Sequence, residues 1–494
     1  MPAFTDPKVK AQSEESFDIV IIGAGVSGIN TAHTVKTKAP PGTAYVILER
    51  RSQIGGTWDL FRYPGIRSDS DMFTFGFSWN PWTKEKPLAT GPEIVSYLLD
   101  SASKVGADKH MRFHHSVISA DWSSDNSRWT VTARDGNNEL VSFRTRFVVL
   151  GTGYYDFNEP MFAPIPGLDR FQGDIIKPQF WPSDYNYLNK NIVIIGSGAT
   201  AVTLLPSLAA DAKHVTMIQR SPTYIAALPM SRGFFTRLLQ AFLPSFVTNR
   251  LNRLQHILMG YILYSYSRKN PRKVRDTLEK ASAAQLPSDV PVKPHFTPRY
   301  NPWDQRLCVC PDGDFYTALR STKASIVTDT IDEVTETEIV LKSGQRLHPD
   351  VIVPATGLKL QFAGGIPISV DGKIVDPTTK FTWQGCMLQD VPNMAFIIGY
   401  VNASWTLGAE ATGVLLGRLW GRMKSSGANV AIPRLEAPEN MQQVSLFALS
   451  STYFQGASKV FPKGGVGQWS QKKNYFVDVW KATWSDLSAG IEFR

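Results

Sequence analysis

Cysteine is scarce in this chain: its 494 residues include only Cys308, Cys310 and Cys386. Three thiols cannot build a disulfide framework, and none sits in a CxxC pair or at a zinc-type histidine spacing. A stapled secreted scaffold and a structural metal centre are therefore not expected, and a reducing compartment fits best. Long hydrophobic runs are missing too. No stretch approaches the roughly 20 apolar residues that span a bilayer, and the opening MPAFTDPKVKAQSEES is polar, without the apolar core of a signal peptide. The expectation is a cytoplasmic protein. The formal net charge is +9, yet the basic residues are dispersed and no nucleic-acid-binding pattern accompanies them. The excess suits attraction of polyanionic cofactors, with no nucleic-acid partner.

Apolar residues make up 43% of the chain and charged residues 19%, an ordinary balance with length for two or three domains. An apolar run from Phe17 to Ile22 breaks at Gly23-Ala24-Gly25-Val26-Ser27-Gly28 and resumes with helical spacing. A second run, Tyr45 to Leu48, ends in Glu49, so the pattern reads as a βαβ unit with an acid at the tip of its second strand. The segments RFHHSVISADW and RWTVTARDG alternate apolar and polar residues, as antiparallel strands do, and Arg146 to Leu150 leads into Gly151-Thr152-Gly153. The dinucleotide pattern then restarts. Asn191 to Ile195 reads as a strand, Gly196-Ser197-Gly198-Ala199-Thr200-Ala201 as its turn, and His214 to Ile218 as the next strand, delivering Gln219-Arg220-Ser221.

A pyrophosphate must approach backbone N–H groups closely, and a helix N-terminus offers it positive dipole. Gly23, Gly25 and Gly28 permit that approach in the first unit, and Gly196, Gly198, Ala199 and Thr200 in the second. Glu49 can accept hydrogen bonds from ribose hydroxyls, which fits FAD, a nucleotide whose ribose has no phosphate to repel a carboxylate. The second strand tip bears Arg220 instead of an acid, with Ser221 beside it; a cation there pairs with a 2′-phosphate, so NADPH is expected. Two such units also describe a disulfide reductase, but no CxxC or CxxxxC pair exists to receive the electrons. O2 is the obvious remaining acceptor.

The run GGTWDLFRYPGIRSD, Gly55 to Asp69, resembles the GxWxxxx[FY]PGxxxD signature of Baeyer–Villiger monooxygenases at Gly56, Trp58, Tyr63, Pro64, Gly65 and Asp69. Within that family the chain is most similar to the branch typified by the ethionamide-activating monooxygenase, whose members oxidise ketones and also sulfur. The resemblance implies FAD and NADPH as cofactors, with Gly56, Thr57, Trp58, Asp59 and Tyr63 at the flavin, and Ala355, Thr356 and Gly357 on a flavin-side turn. It implies oxygen insertion beside a ketone carbonyl and oxidation of sulfides, with O2 as co-substrate. The oxidant must stay anionic to attack a carbonyl, which calls for a fixed cation; by motif position this is Arg306, held by Asp69. Two departures stand out. The family's second fingerprint appears as Phe171, Gly173, Trp181 and Pro182 with Lys177 in place of its histidine, and Gln305 replaces a lysine that often precedes the arginine. These keep open an uncoupled NADPH oxidase; the other competing reading is a heteroatom oxygenase with little ketone activity, against which the GxWxxxxYPGxxxD match argues.

The expected architecture is α/β, with two Rossmann-like dinucleotide-binding domains, the second inserted in the first and carrying a helical subdomain. The parts are 1–153 and 350–494 for FAD, 154–225 and 301–349 for NADP, and 226–300 for the helices. Phe234, Leu238, Leu239, Phe242, Leu254 and Ile257 are spaced helically there, among Arg237, Arg250, Arg253, Arg268, Lys269, Arg272, Lys273 and Arg275. An apolar face covering the substrate pocket is expected, with membrane-surface contact the less favoured option. Phe362 and the stretch Asn402 to Thr406 are expected either near the flavin ring or in plain core packing.

Overall fold

A computed structural model describes residues 14–161, 163–231, 242–447 and 456–494. Phe234, Arg237, Leu238 and Leu239 lie outside these residues. The chain builds two sheets that repeat one design. In the first, β1 (Glu14–Ile22) lies between β2 (Tyr45–Leu48) and β6 (Leu140–Leu150), parallel to both, with Ile22 level with Leu48 and Leu150. β3 (Met111–Arg112) extends one edge, and β4 (Ser116–Ser123) and β5 (Arg128–Arg134) form with β6 the expected antiparallel meander. The second sheet is parallel throughout. Its strands lie in the order Ala324–Thr328, β9 (His214–Gln219), β8 (Asn191–Ile195), Val351–Pro354 and β7 (Asp174–Ile175). The apolar runs at 192–195 and 351–353 are buried throughout, as a parallel sheet covered on both faces requires.

The position of Val351–Pro354 corrects one boundary. The return to the first domain was expected at 350, but this strand pairs with Asn191–Ile195 in the second sheet. The first sheet is rejoined by Ile368–Val370, which pairs with β4, and by Met394–Phe396, which pairs with β6. A short apolar run fits either parallel sheet, so its residues alone could not assign it.

Separate apolar cores lie on the two faces of each sheet. Trp129 and Trp383 are the largest fully buried side chains, and the Trp129 indole donates to the Pro392 carbonyl at 3.1 Å. Phe362 belongs to this packing, with its ring 5.2 Å from that of Phe396. Between the second domain's strands the chain inserts a 25-residue helix, Ser245–Lys269, followed by Pro271–Ala283. No helix among the described residues is long and apolar enough to cross a membrane.

Candidate functional site

Both glycine turns form at the carboxyl ends of their central strands, the usual location of nucleotide sites in open α/β sheets. Gly23 donates to the Leu48 carbonyl at 2.8 Å, and Gly151 donates to that of Ile22 at 2.8 Å. The second sheet repeats this with Gly196 on Ile218 and Ala355 on Ile195. Gly23 has φ +105°, and a Cβ on it would lie 2.7 Å from the Gly151 oxygen; on Gly196, with φ +139°, it would lie 2.3 Å from the Ala355 oxygen. Glycine is therefore required at both turns for the chain to pass its neighbour. The helices that follow, Val26–Lys38 and Ala199–Ala209, start after Gly25 and Gly198 respectively, and no side chain caps either. Their first N–H groups are left for an anion.

One continuous cavity of about 820 Å³ runs between the two turns. It is lined by Gly23, Gly25, Glu49, Gly56, Thr57, Trp58, Tyr63 and Asp69 from the first domain. The second domain contributes Gly196, Gly198, Ala199, Thr200, Arg220, Ser221, Arg306, Ala355, Thr356 and Gly357. Glu49 is buried and accepts from Ala24 N at 2.8 Å and Arg51 N at 2.9 Å, tying the tip of β2 to the first glycine turn. Arg220 is exposed at the wall and forms no ion pair among the described residues.

Two predicted site residues do not reach the cavity. Gly28 lies beneath the turn, where a Cβ would come 1.9 Å from the Gly23 oxygen, so its role is helix–strand contact. Asp59 is buried beneath the fingerprint loop, bonded to Arg51 at 2.6 Å and Arg62 at 2.9 Å, and bonded also to Gln53. Burial alone would raise its pKa, but these hydrogen bonds outweigh it and hold the carboxyl below its usual range. Asp59 braces the loop; it is not placed to meet a ligand. Ala355 also departs from expectation: the turn after Val351–Pro354 abuts the second glycine turn, while Gly151-Thr152-Gly153 fills the corresponding place in the first.

The fingerprint loop bridges the domains. Gly65, with φ +74°, meets the helix Ala199–Ala209 so closely that a Cβ would lie 1.9 Å from Ser207 Oγ. Two residues on, Arg67 forms a two-pronged pair with Asp314 of the second domain, at 2.5 and 3.3 Å. The chain then presents Asp69 to the cavity. Burial raises the Asp69 pKa, against the pull of Arg306 and Arg67, so the three charges share one neighbourhood. The loop carrying Arg306 is braced from outside by the helix Ser245–Lys269: Arg268 pairs with Asp304 at 2.5 Å, and Tyr264 packs edge-on to Trp303. Arg306 Nε donates to the Val401 carbonyl at 3.4 Å.

Sequence reasoning singled out neither Arg67 nor Cys308. Arg67 lies inside the fingerprint run, but its partner is far along the chain. Cys308 lines the cavity beside Asp69, and burial first, then that carboxylate, pushes its thiol up to about 12. In the stretch Asn402 to Thr406 only Trp405 reaches the wall, where its indole donates to Ser27 Oγ at 2.9 Å; Thr406 is buried in the core. Lys177 is exposed just after β7, between two strands of the second sheet, and does not line the cavity. No cluster of three metal-ligating side chains occurs among the described residues.

Residues 17–265 match the flavin-binding monooxygenase-like family. The chain is 45% identical over 467 residues to the FAD-containing monooxygenase EthA of Mycolicibacterium smegmatis, covering 94% of each. It is 44% identical to the probable FAD-binding monooxygenase AlmA of Acinetobacter baylyi, covering 94% of this chain and 93% of that one. Among solved structures, an oxidized steroid monooxygenase bound to NADP superposes with a TM-score of 0.76 at 22% identity, covering 97% of this chain and 99% of that one. The cyclohexanone monooxygenase of Rhodococcus sp. Phi1 bound to NADP+ also gives 0.76, at 21% identity, covering 98% and 100%. At such identities these two establish the shared fold.

Proposed function

The chain belongs to the flavin-binding monooxygenase family, and from that premise we propose that it uses NADPH and O2 to insert oxygen beside a ketone carbonyl and to oxidise sulfides. The observation that carries this reading is the continuous cavity that joins both glycine turns and holds Asp69 and Arg306 between them. The residues present fit the two nucleotides. The first turn, with an uncapped helix behind it and Glu49 at its strand tip, suits the pyrophosphate and ribose of FAD. The second turn has open space at Gly198 and Arg220 at the strand tip, which suits a nucleotide bearing a 2′-phosphate. When bound, FAD supplies to O2 the electrons that NADPH delivers.

The remaining work falls to the protein. Arg306 keeps its charge in a water-poor cavity, because a guanidinium does not lose its proton there, and it offers donors to an anionic oxidant. Asp69 balances that charge and orients it. Tyr63, whose hydroxyl burial keeps protonated, and Trp58 wall the cavity against water. A protonated oxidant would deliver oxygen to sulfur at the same place, so one site accounts for both products.

Incubation with NADPH, a linear ketone and an aryl sulfide, followed by assay of ester, sulfoxide and hydrogen peroxide, tests the reading. The wild type is expected to form ester and sulfoxide. Arg306→Ala should lose ester formation by about a hundredfold or more while NADPH consumption continues and hydrogen peroxide accumulates. Sulfoxide without ester from the wild type would assign the site to heteroatom oxidation, and hydrogen peroxide alone would make it an oxidase.

A further inference from the structure

The helix Ser245–Lys269 is packed inside out. Its buried residues are Thr248, Asn252, Arg253, Ile257 and Ser267, only one of them apolar. Arg253 anchors it, donating to the backbone carbonyls of Phe73 and Gly76 and pairing with Glu410 at 2.8 Å. Meanwhile Leu251, Leu254, Leu258, Tyr261 and Ile262 recur every three or four residues, and all are exposed, Ile262 at 60%. This is one continuous stripe along the outer side of the helix. None of its residues lines the cavity, so the apolar face expected to cover the substrate pocket points away from it.

The stripe does not stand alone. Tyr261 packs edge-on to Phe476 at 5.8 Å, so the stripe touches the first turn of the C-terminal helix Tyr475–Trp484. That helix exposes Val477, Trp480 and Trp484, also on one face, the two tryptophans at 62% and 71%. A water-facing surface rarely leaves so many large apolar side chains together without a partner.

Charge decides between the candidate partners. No Asp or Glu occurs between Asp211 and Asp276, and the stripe is flanked by exposed Arg250, Lys269, Arg272 and Lys273. Two copies meeting through this face would bring like charges together. An anionic lipid surface would instead neutralise them while its acyl boundary received the leucines, and tryptophans are the side chains that favour that boundary. We propose that the helices Ser245–Lys269 and Tyr475–Trp484 together form a docking face for an anionic phospholipid bilayer, on which the protein lies without spanning it.

Sedimentation of the full chain with vesicles at physiological salt tests this. Phosphatidylcholine vesicles containing phosphatidylglycerol are expected to carry the protein down, and vesicles of phosphatidylcholine alone are not. The triple variant Leu254→Gln, Leu258→Gln, Ile262→Gln should lower binding by about tenfold or more, as should Lys269→Glu, Arg272→Glu, Lys273→Glu. Because all six side chains are exposed, the melting temperature serves as a control for folding and should stay unchanged. Failure of the wild type to sediment with anionic vesicles overturns the proposal, and so does either triple variant binding as well as the wild type. A lipid-independent dimer that the leucine variant dissociates, with no vesicle binding, overturns it in favour of a second copy of the chain.

Discussion

Asp69 shows how a single carboxyl can be held between opposing forces. Burial disfavours its charge, while Arg306 and Arg67 favour it. Lys472 is the opposite case. The residue is half-buried with its ammonium turned inward, donating to the carbonyls of Ile398 and Gly408 and to Thr412, and desolvation pulls its pKa down from 10.5 to about 8 despite Cys386 and Asp478 nearby. Between those two values the unfolded chain holds a proton that the folded chain has released, so stability rises with pH. Below about 8 the cost of the buried charge is present in full. The clearest window is about pH 8 to 9, because the buried thiols, ordinarily near 9, oppose the trend above it. Urea midpoints are expected to climb through that window in the wild type and to climb less in Lys472→Met; parallel curves would refute the assignment. Nothing in the local sequence marks the Lys472 ammonium as enclosed, whereas the glycine turns, Glu49 and Arg220 declare themselves by spacing, and Arg306 by the family resemblance.

At the scale of the element, the glycine turns show which part of a motif serves the ligand and which serves the fold. Gly23, Gly25, Gly196 and Gly198 open onto the cavity, but Gly28 faces its own strand. Gly28→Ala should therefore destabilise the folded chain by about 1–3 kcal/mol or more through overpacking, read as a lower urea midpoint. The equivalent position of the second unit is Ala201, fully buried, so that turn has room for the methyl group. Removing the methyl there, Ala201→Gly, should lower the midpoint too, by the roughly 0.5–1 kcal/mol that glycine costs inside a helix. The strands were legible from their apolar runs, since β1, β2, β8 and β9 fall where those runs are. The sheet to which Val351–Pro354 belongs was not, because parallel strands of either sheet present the same buried pattern. Helical spacing likewise marked 226–300 as a helical segment without bounding the helix Ser245–Lys269 or revealing which face it buries.

For the whole molecule, the contacts between domains matter most. Gly65 against Ser207 and Arg67 against Asp314 join the fingerprint loop to the second domain, and the same loop presents Asp69. Asp314→Asn should cost roughly 1–3 kcal/mol, and a double-mutant cycle with Arg67→Gln should show that most of this is shared between the two residues. Independent, additive losses would show that the pair does not couple the domains. Lys177 lies inside the second domain, between β7 and β8, and makes no ion pair among the described residues, and nothing in the structure explains its replacement of the fingerprint histidine.

By itself the sequence determined the two dinucleotide units, the residues of both turns and the fingerprint that announces the family, because each depends on spacing within a short stretch of chain. The tertiary structure decided what depends on distant partners. It placed Asp59 in a buried ion-pair network instead of the cavity, moved Val351–Pro354 into the second sheet, and turned the leucines of Ser245–Lys269 outward. In each case the side chain's role follows from what packs against it, and a local pattern carries periodicity but not the identity of the neighbour.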